Sequence, residues 1–218
     1  MAGNIELSVG EADAILVSYE SSDDRIEVTM EQQGGVVYVD VDYPNDVRNI
    51  RGGVDFTIEF PADGQVRIKS VSGTISSTGI SGDLRLRTVS GDVDIEAASG
   101  ELELDSVSGD ITLRGVQQAD VEARSVSGDV DYRDGDLSGE GYDFASTSGS
   151  VEISHHRDAS FRFRGNSVTG SIRNRSGGDI EVERPEFGPG SSARGNYNGG
   201  EVSVEASTVS GSIQLNLD

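Results

Sequence analysis

At 218 residues, with 39 acidic against 17 basic side chains and a net charge of -22, the chain is long enough for one substantial core. It is also too negative for nucleic acid or an anionic lipid surface to be expected as direct partner. A hydrophobic fraction of 34%, with 29 Gly and only 4 Pro, is thin for a compact globule and suits a narrow repeat structure with many corners, while the absence of Cys excludes disulfides. Lys69 is the only lysine, and this acidic, lysine-poor balance fits proteins held in molar salt, where screening removes self-repulsion; an extreme halophile is the expected source.

No apolar run approaches the ~18 residues needed to cross a bilayer. Met1-Ala2-Gly3-Asn4 leads directly into a strand pattern. The expectation is an extracytoplasmic protein of the cell envelope whose signal or anchor is not carried by this chain; the alternative is a cytoplasmic, membrane-associated protein.

Alternation of apolar and polar residues predicts strands at Ile5-Glu6-Leu7, Ala14 to Tyr19, Arg25 to Met30, Val36 to Asp42 and Val54 to Phe60. Turns are expected at Ser21-Ser22-Asp23-Asp24, Gln33-Gly34-Gly35 and Pro44-Asn45-Asp46. Gly35, Gly53 and Gly73 are spaced by 18 and 20, so repeats are expected to begin near residue 36, with residues 1–35 as a cap or a separate antiparallel sheet.

From Val71 the pattern becomes strict. Val-Ser-Gly recurs at Val71, Val89 and Val107 at intervals of 18, with weaker half-unit copies at Ile80-Ser81-Gly82 and Ala98-Ser99-Gly100. Two alternating segments and two corners per 18 to 21 residues predict an all-β, single-stranded parallel β-solenoid with two walls, in which no repeat buries its own apolar face. The corner glycines continue at Gly128, Gly149, Gly170 and Gly211. Two places before each stand Val71, Val89, Val107, Val126, Thr147, Val168 and Val209, read as one apolar wall. The facing wall is Val66, Leu84, Leu102, Val121, Tyr142 and Phe161, with Ile68, Leu86, Leu104, Ala123, Phe144 and Phe163 beside them. A constant offset of 18 places Arg85 over Glu103 and Arg87 over Asp105, cross-rung ion pairs worth about 0.2 to 1 kcal/mol each.

Past Gly170 the rhythm breaks. The 41 residues to Gly211 fit either one turn with a large insertion or two turns that put Ile180 and Val182 on the Phe161 wall. Residues 184–198 read as a loop, and Phe187, Arg194 and Tyr197 in it are candidates for partner contact. The last rung carries Val202, Val204, Val209, Ile213, Leu215 and Leu217 and reads as an uncapped edge, hence a surface for end-to-end self-assembly.

Little points to chemistry. Ser-Gly-Asp at Asp83, Asp92, Asp110 and Asp129 could line carboxylates along a corner, but the glycine-rich calcium-binding nonapeptide is absent, so solvation is the expected role. His155 and His156 are adjacent and on a strand would face opposite ways. No catalytic residue, metal or cofactor is expected.

The Ser-Gly-Asp-Val corners, the Asp-Phe-Thr-Ile-Glu-Phe-Pro stretch from Asp55 to Pro61, and the closing Ser-Thr-Val-Ser-Gly-Ser-Ile from Ser207 to Ile213 resemble prokaryotic β-strand-repeat adhesins of unknown function. The resemblance covers roughly residues 36 to 217 and implies an envelope location. The architecture also resembles bactofilins, which implies a self-assembling scaffold contributing to cell shape, end-to-end homopolymers being the expected state. The alternative is a monomeric surface adhesin or envelope-stress module contacting envelope proteins or surface polymers.

Overall fold

The structure, a computed structural model, describes residues 3–10, 14–33, 36–42 and 52–217. Gly35 and the Pro44-Asn45-Asp46 turn lie outside the described residues. The strands are β1 (Ile5–Val9), β2 (Leu16–Ser21), β3 (Glu27–Gln33), β4 (Val36–Asp42), β5 (Val54–Phe60), β6 (Val66–Ser72), β7 (Ile75–Thr78), β8 (Leu84–Ser90), β9 (Val93–Glu96) and β10 (Gly100–Ser106). They continue as β11 (Ile111–Arg114), β12 (Ala119–Ser125), β13 (Val130–Gly135), β14 (Gly141–Ser146), β15 (Val151–His155), β16 (Phe161–Ser167), β17 (Ile172–Asn174), β18 (Asp179–Glu183), β19 (Ser191–Tyr197), β20 (Val202–Thr208) and β21 (Ile213–Leu217).

Two long sheets face each other across one core. The ten-stranded sheet runs β17-β21-β15-β13-β11-β9-β7-β1-β5-β2, and the nine-stranded sheet β18-β19-β16-β20-β14-β12-β10-β8-β6. From β6 to β15 the chain alternates between them, each rung stacking in parallel on the one before, as the 18-residue period requires. The all-β two-walled solenoid is therefore the fold. Antiparallel strands appear only toward the ends of the long sheets, as β2 against β5 and as β18 and β19 beyond β16. β3 and β4 pair as a separate antiparallel hairpin, with Val28, Val39 and Val41 half-buried against the core.

Inward positions follow the period of two. Leu84 and Leu86, then Leu102 and Leu104, then Val121 and Ala123 stack directly over one another and are buried. Where Ala123 thins the column, Tyr132, Tyr142 and Phe144 fill the bore with ring centroids 5.5 to 6.2 Å apart. The Tyr132 hydroxyl donates to the Val116 carbonyl at 3.3 Å, so its burial leaves no orphan.

Chain order and spatial order part company at both ends. β1 lies between β5 and β7, in parallel with both, and Asn4 occupies a corner position there, its side chain accepting from the Thr74 amide at 3.0 Å. At the other end β20 lies between β14 and β16, and β21 between β15 and β17. The amide of Ser210 bonds the Thr147 carbonyl on one side, and the amide of Thr169 bonds the Val209 carbonyl on the other, both at 2.9 Å.

The last strands in sequence are thus an interior rung. Val204, Ile213 and Leu215 are fully buried, Val202 and Leu217 pack half-buried against the core, and Val209 points outward, so these six residues do not form an open terminal edge. The end-contact expectation fails because every strand they occupy has a hydrogen-bonded neighbour on both sides. The 41 residues from Gly170 to Gly211 follow the first counting, one turn with a large insertion: β17 and β20 are its two walls, the hairpin β18–β19 is the insertion and adds antiparallel strands beyond β16, and the chain then threads back into the stack beside β16. Phe163 consequently aligns with Tyr142 through Val204, two residues out of step with the expected Tyr142–Phe161 pairing.

Candidate functional site

The distinctive surface arises at the Val-Ser-Gly corners. In β6 the parity that buries Ile68 and Ser70 sends Arg67, Lys69 and Val71 outward, and β8 repeats it with Leu86 and Thr88 in, Arg85, Arg87 and Val89 out. The column read as an apolar wall of the core is therefore on the outside: Val71, Val89, Val107, Val126, Val168 and Val209 are 44–57% exposed. Thr147 is the exposed member of its rung. Their neighbours toward the core are a buried Ser/Thr ladder, Ser70, Thr88, Ser106, Ser125, Ser146, Thr208 and Ser167. Its hydroxyls tie the corners together, Ser125 donating to the Gly109 carbonyl at 3.0 Å and Ser146 to that of Gly128 at 2.8 Å.

The corner glycines are needed for close approach. A Cβ at Gly91, Gly109, Gly128, Gly149 or Gly211 would sit 1.8 to 2.1 Å from the carbonyl oxygen of the glycine one rung away, and none of these five has positive φ. Glycine stacked on glycine brings the corners together and fixes the valines in a straight file. Seven rungs at ~4.8 Å spacing give a file about 29 Å long.

Beside the file runs a groove of ≈ 770 Å³, edged by the valines and by Lys69, Arg87, Asp105 and Arg124. Each half-exposed valine leaves about 1 kcal/mol of burial unrealised, so the file as a whole holds about 6 kcal/mol for whatever covers it. β-Branched residues also favour extended backbone, which accounts for valine as a residue type. It does not account for an apolar line, broken only at Thr147, on a face whose first four rungs otherwise present charges, Arg67 and Lys69, Arg85 and Arg87, Glu103 and Asp105, Glu122 and Arg124.

Those charges form a second column on the same face. In rung order it reads Arg67, Arg85, Glu103, Glu122, Asp143, Glu205, Arg164. The expected cross-rung pairs are present, Arg85 to Glu103 at 3.3 Å and Arg87 to Asp105 at 2.9 Å, and Arg85 also reaches Glu101. Arg124 bridges Glu122 and Asp143. The Arg87 guanidinium, hydrogen-bonded to Glu103, holds that carboxyl below its ordinary range.

The other candidates resolve as structural. Asp92, Asp110 and Asp129 stack at one corner, each carboxylate accepting the backbone amide one rung on, from Asp110 at 3.0 Å, Asp129 at 2.8 Å and Ser150 at 2.7 Å. Asp83 stands at the opposite corner and accepts from Gln65. Among the described residues no three of His, Asp and Glu are grouped to hold a metal ion. His155 and His156 do face opposite ways: His156 is exposed, while His155 is enclosed edge-on by Phe161 and Tyr197 at 4.8 and 4.5 Å.

The proposed partner loop is shorter than expected. Residues 191–197 are strand β19, Arg194 lies on it paired with Glu183 at 3.1 Å, and Tyr197 is buried, stacked on Phe161 at 5.4 Å. Tyr197 is thus corrected from contact residue to core residue, because the antiparallel pairing of β19 with β16 turns it inward. Phe187 alone of the three remains on an exposed loop, 88% exposed.

The match to a known family completes the picture. The family described as Toastrack DUF4097 matches residues 36–216. The chain belongs to this family. A crystal structure of a provisionally described cell adhesion protein from Clostridium sporogenes ATCC 15579 is similar to it at 12% identity, with a TM-score of 0.45 over 100% of this chain and 89% of that one. No curated protein matches the chain.

Proposed function

We propose that this Toastrack chain is a non-enzymatic, adhesin-like binding module of the cell envelope that works through the valine-edged outer face of its nine-stranded sheet. The observation that carries the reading is the outward valine file, an apolar line repeated rung after rung beside the groove. Its resemblance to Ser-Gly-repeat adhesins supports the same class. The corner carboxylates are occupied with backbone amides and His155 is enclosed, which supports binding over catalysis. Partners are envelope proteins, surface polymers or the chain itself, and the charge of -22 keeps the body soluble in the high salt of a halophile's surroundings.

Capture tests the reading. Immobilised chain should retain material from an envelope preparation, and Val107→Asp/Val126→Asp, placed on exposed positions, should lose it while keeping the same circular dichroism and melting temperature. Retention undiminished by those substitutions would refute the assignment of this face.

A further inference from the structure

Resting on that reading, we infer that the outer face of the nine-stranded sheet is self-complementary and takes a second copy of this chain, with the two solenoid axes antiparallel. Rungs on this face follow the order β6, β8, β10, β12, β14, β20, β16. A twofold axis lying in the face between β10 and β12 sets β10 against β12 of the second copy, β8 against β14, and β6 against β20.

In that register the valine file meets itself: Val107 faces Val126, Val89 faces Thr147, and Val71 faces Val209 of the second copy. The charged columns then pair by opposite sign. Asp105 meets Arg124, Arg85 meets Asp143, and Arg67 meets Glu205, each twice by symmetry. Two like-charge meetings result, Glu103 with Glu122 and Glu101 with Asp120. All four carboxylates already have partners within their own copy: Arg85, Arg87 and Arg124 for the three glutamates, and the Glu140 and Gly141 amides for Asp120.

The register is selected against its neighbours. Sliding the second copy so that the axis passes through β10 lays Asp105 on Asp105 and Arg87 on Arg124; placing it on β12 lays Arg124 on Arg124 and Arg67 on Arg164. The apolar file alone would allow either slip, since it is nearly uniform, so the charges specify what the valines drive. A body of net charge -22 repels its copy at long range, and pairing is therefore favoured by salt.

Sedimentation of the full chain from tens of millimolar to molar salt tests the inference. The expected result is monomer at low salt and dimer at high salt. Asp105→Arg alone and Arg124→Asp alone should each weaken dimerisation by at least ~100-fold, because each sets like charges against each other twice. Mixed in equal amounts the two variants should form a heterodimer, since opposite charges then meet in both places: the introduced arginine of one copy against the introduced aspartate of the other, and the native Arg124 of the first against the native Asp105 of the second. Monomers at every salt concentration, or homodimers of either single variant as strong as the parent, would overturn the pairing. A monomeric parent whose Val107→Asp/Val126→Asp variant loses envelope capture would overturn the second-copy inference and leave the binding reading standing; loss of neither would remove both.

Discussion

Gly109→Ala separates steric from conformational explanations of the corner. Gly109 does not use positive φ, so a side chain there carries no backbone penalty of its own. Its Cβ would nevertheless lie 2.1 Å from the Gly91 oxygen and 2.5 Å from the Gly91 carbonyl carbon. Both belong to a backbone carbonyl held in the stack, so relief requires the two rungs to move apart and the Ser106 bond to the Gly91 carbonyl, 3.3 Å long, to stretch with them. A cost of about 3 kcal/mol follows, at the upper end for overpacking. For a chain of this size that corresponds to a fall of ~6–12 °C in melting temperature. Gly141 is the control: nothing lies within 4 Å of its Cβ position and its φ is not positive, so Gly141→Ala should be neutral or stabilise by up to ~1 kcal/mol. Thermal and urea unfolding followed by circular dichroism read both. Equal effects at the two glycines would refute the close-approach argument.

Further outcomes follow from the same contacts. Val204→Asp should destabilise by about 4 kcal/mol or more, because it puts a lone charge inside an interior rung, whereas Val209→Asp, five residues on and outward, should stay within ~0.5 kcal/mol; urea midpoints decide. Arg85→Ala removes exposed bridges to Glu101 and Glu103 and should cost ~0.2–1 kcal/mol, a difference that fades in molar salt. Burial raises the Tyr132 phenol well above its ordinary value of 10.0, so the stability it contributes is present below pH ~10 and is lost as the pH rises beyond. Tyr132→Phe, which cannot ionise, should be less stable near neutrality through the lost Val116 bond and should decline less than the parent in alkali, as melting curves across that range would show.

The fold was legible because its cause is local. The Gly spacing and the period-two alternation of Leu84-Arg85-Leu86-Arg87 determine both the turn length and which residues enter the core. The direction of the valine file is legible too once parity is followed one residue further: Val89 shares its parity with Arg85 and Arg87, whereas Thr88 shares that of Leu84 and Leu86. Chemistry alone points a hydrophobic residue beside a corner inward, and the backbone phase overrules chemistry there.

Rung order was not legible. β1 and β20–β21 are good parallel strands, and a parallel strand fits any gap between two rungs equally well by local pattern. Their placement depends on long-range partners, such as Asn4 completing a corner beside Thr74 and Ser150 meeting Ser212 at 3.1 Å, which no period encodes. The antiparallel β19 was hidden for a related reason. Its Gly195 and Asn196 read as loop residues, and Gly195 is required there by φ of 157° and by the backbone of Asp179 at 2.0 Å from its Cβ position.

The native chain contains no cysteine, which permits a direct measurement of which way the valine file points. Single cysteines placed at Val71, Val89, Val107, Val126 and Val209, and for comparison at Leu104 and Val204, can be timed against a thiol reagent in low salt. Labelling at the five outward positions should come close to that of the unfolded chain, with protection at Leu104 and Val204, and with slowing at Val107 and Val126 when salt brings the second copy on. Protection of the valine file in the low-salt monomer, or ready labelling at Val204, would overturn the outward file and the interior rung on which the binding face rests.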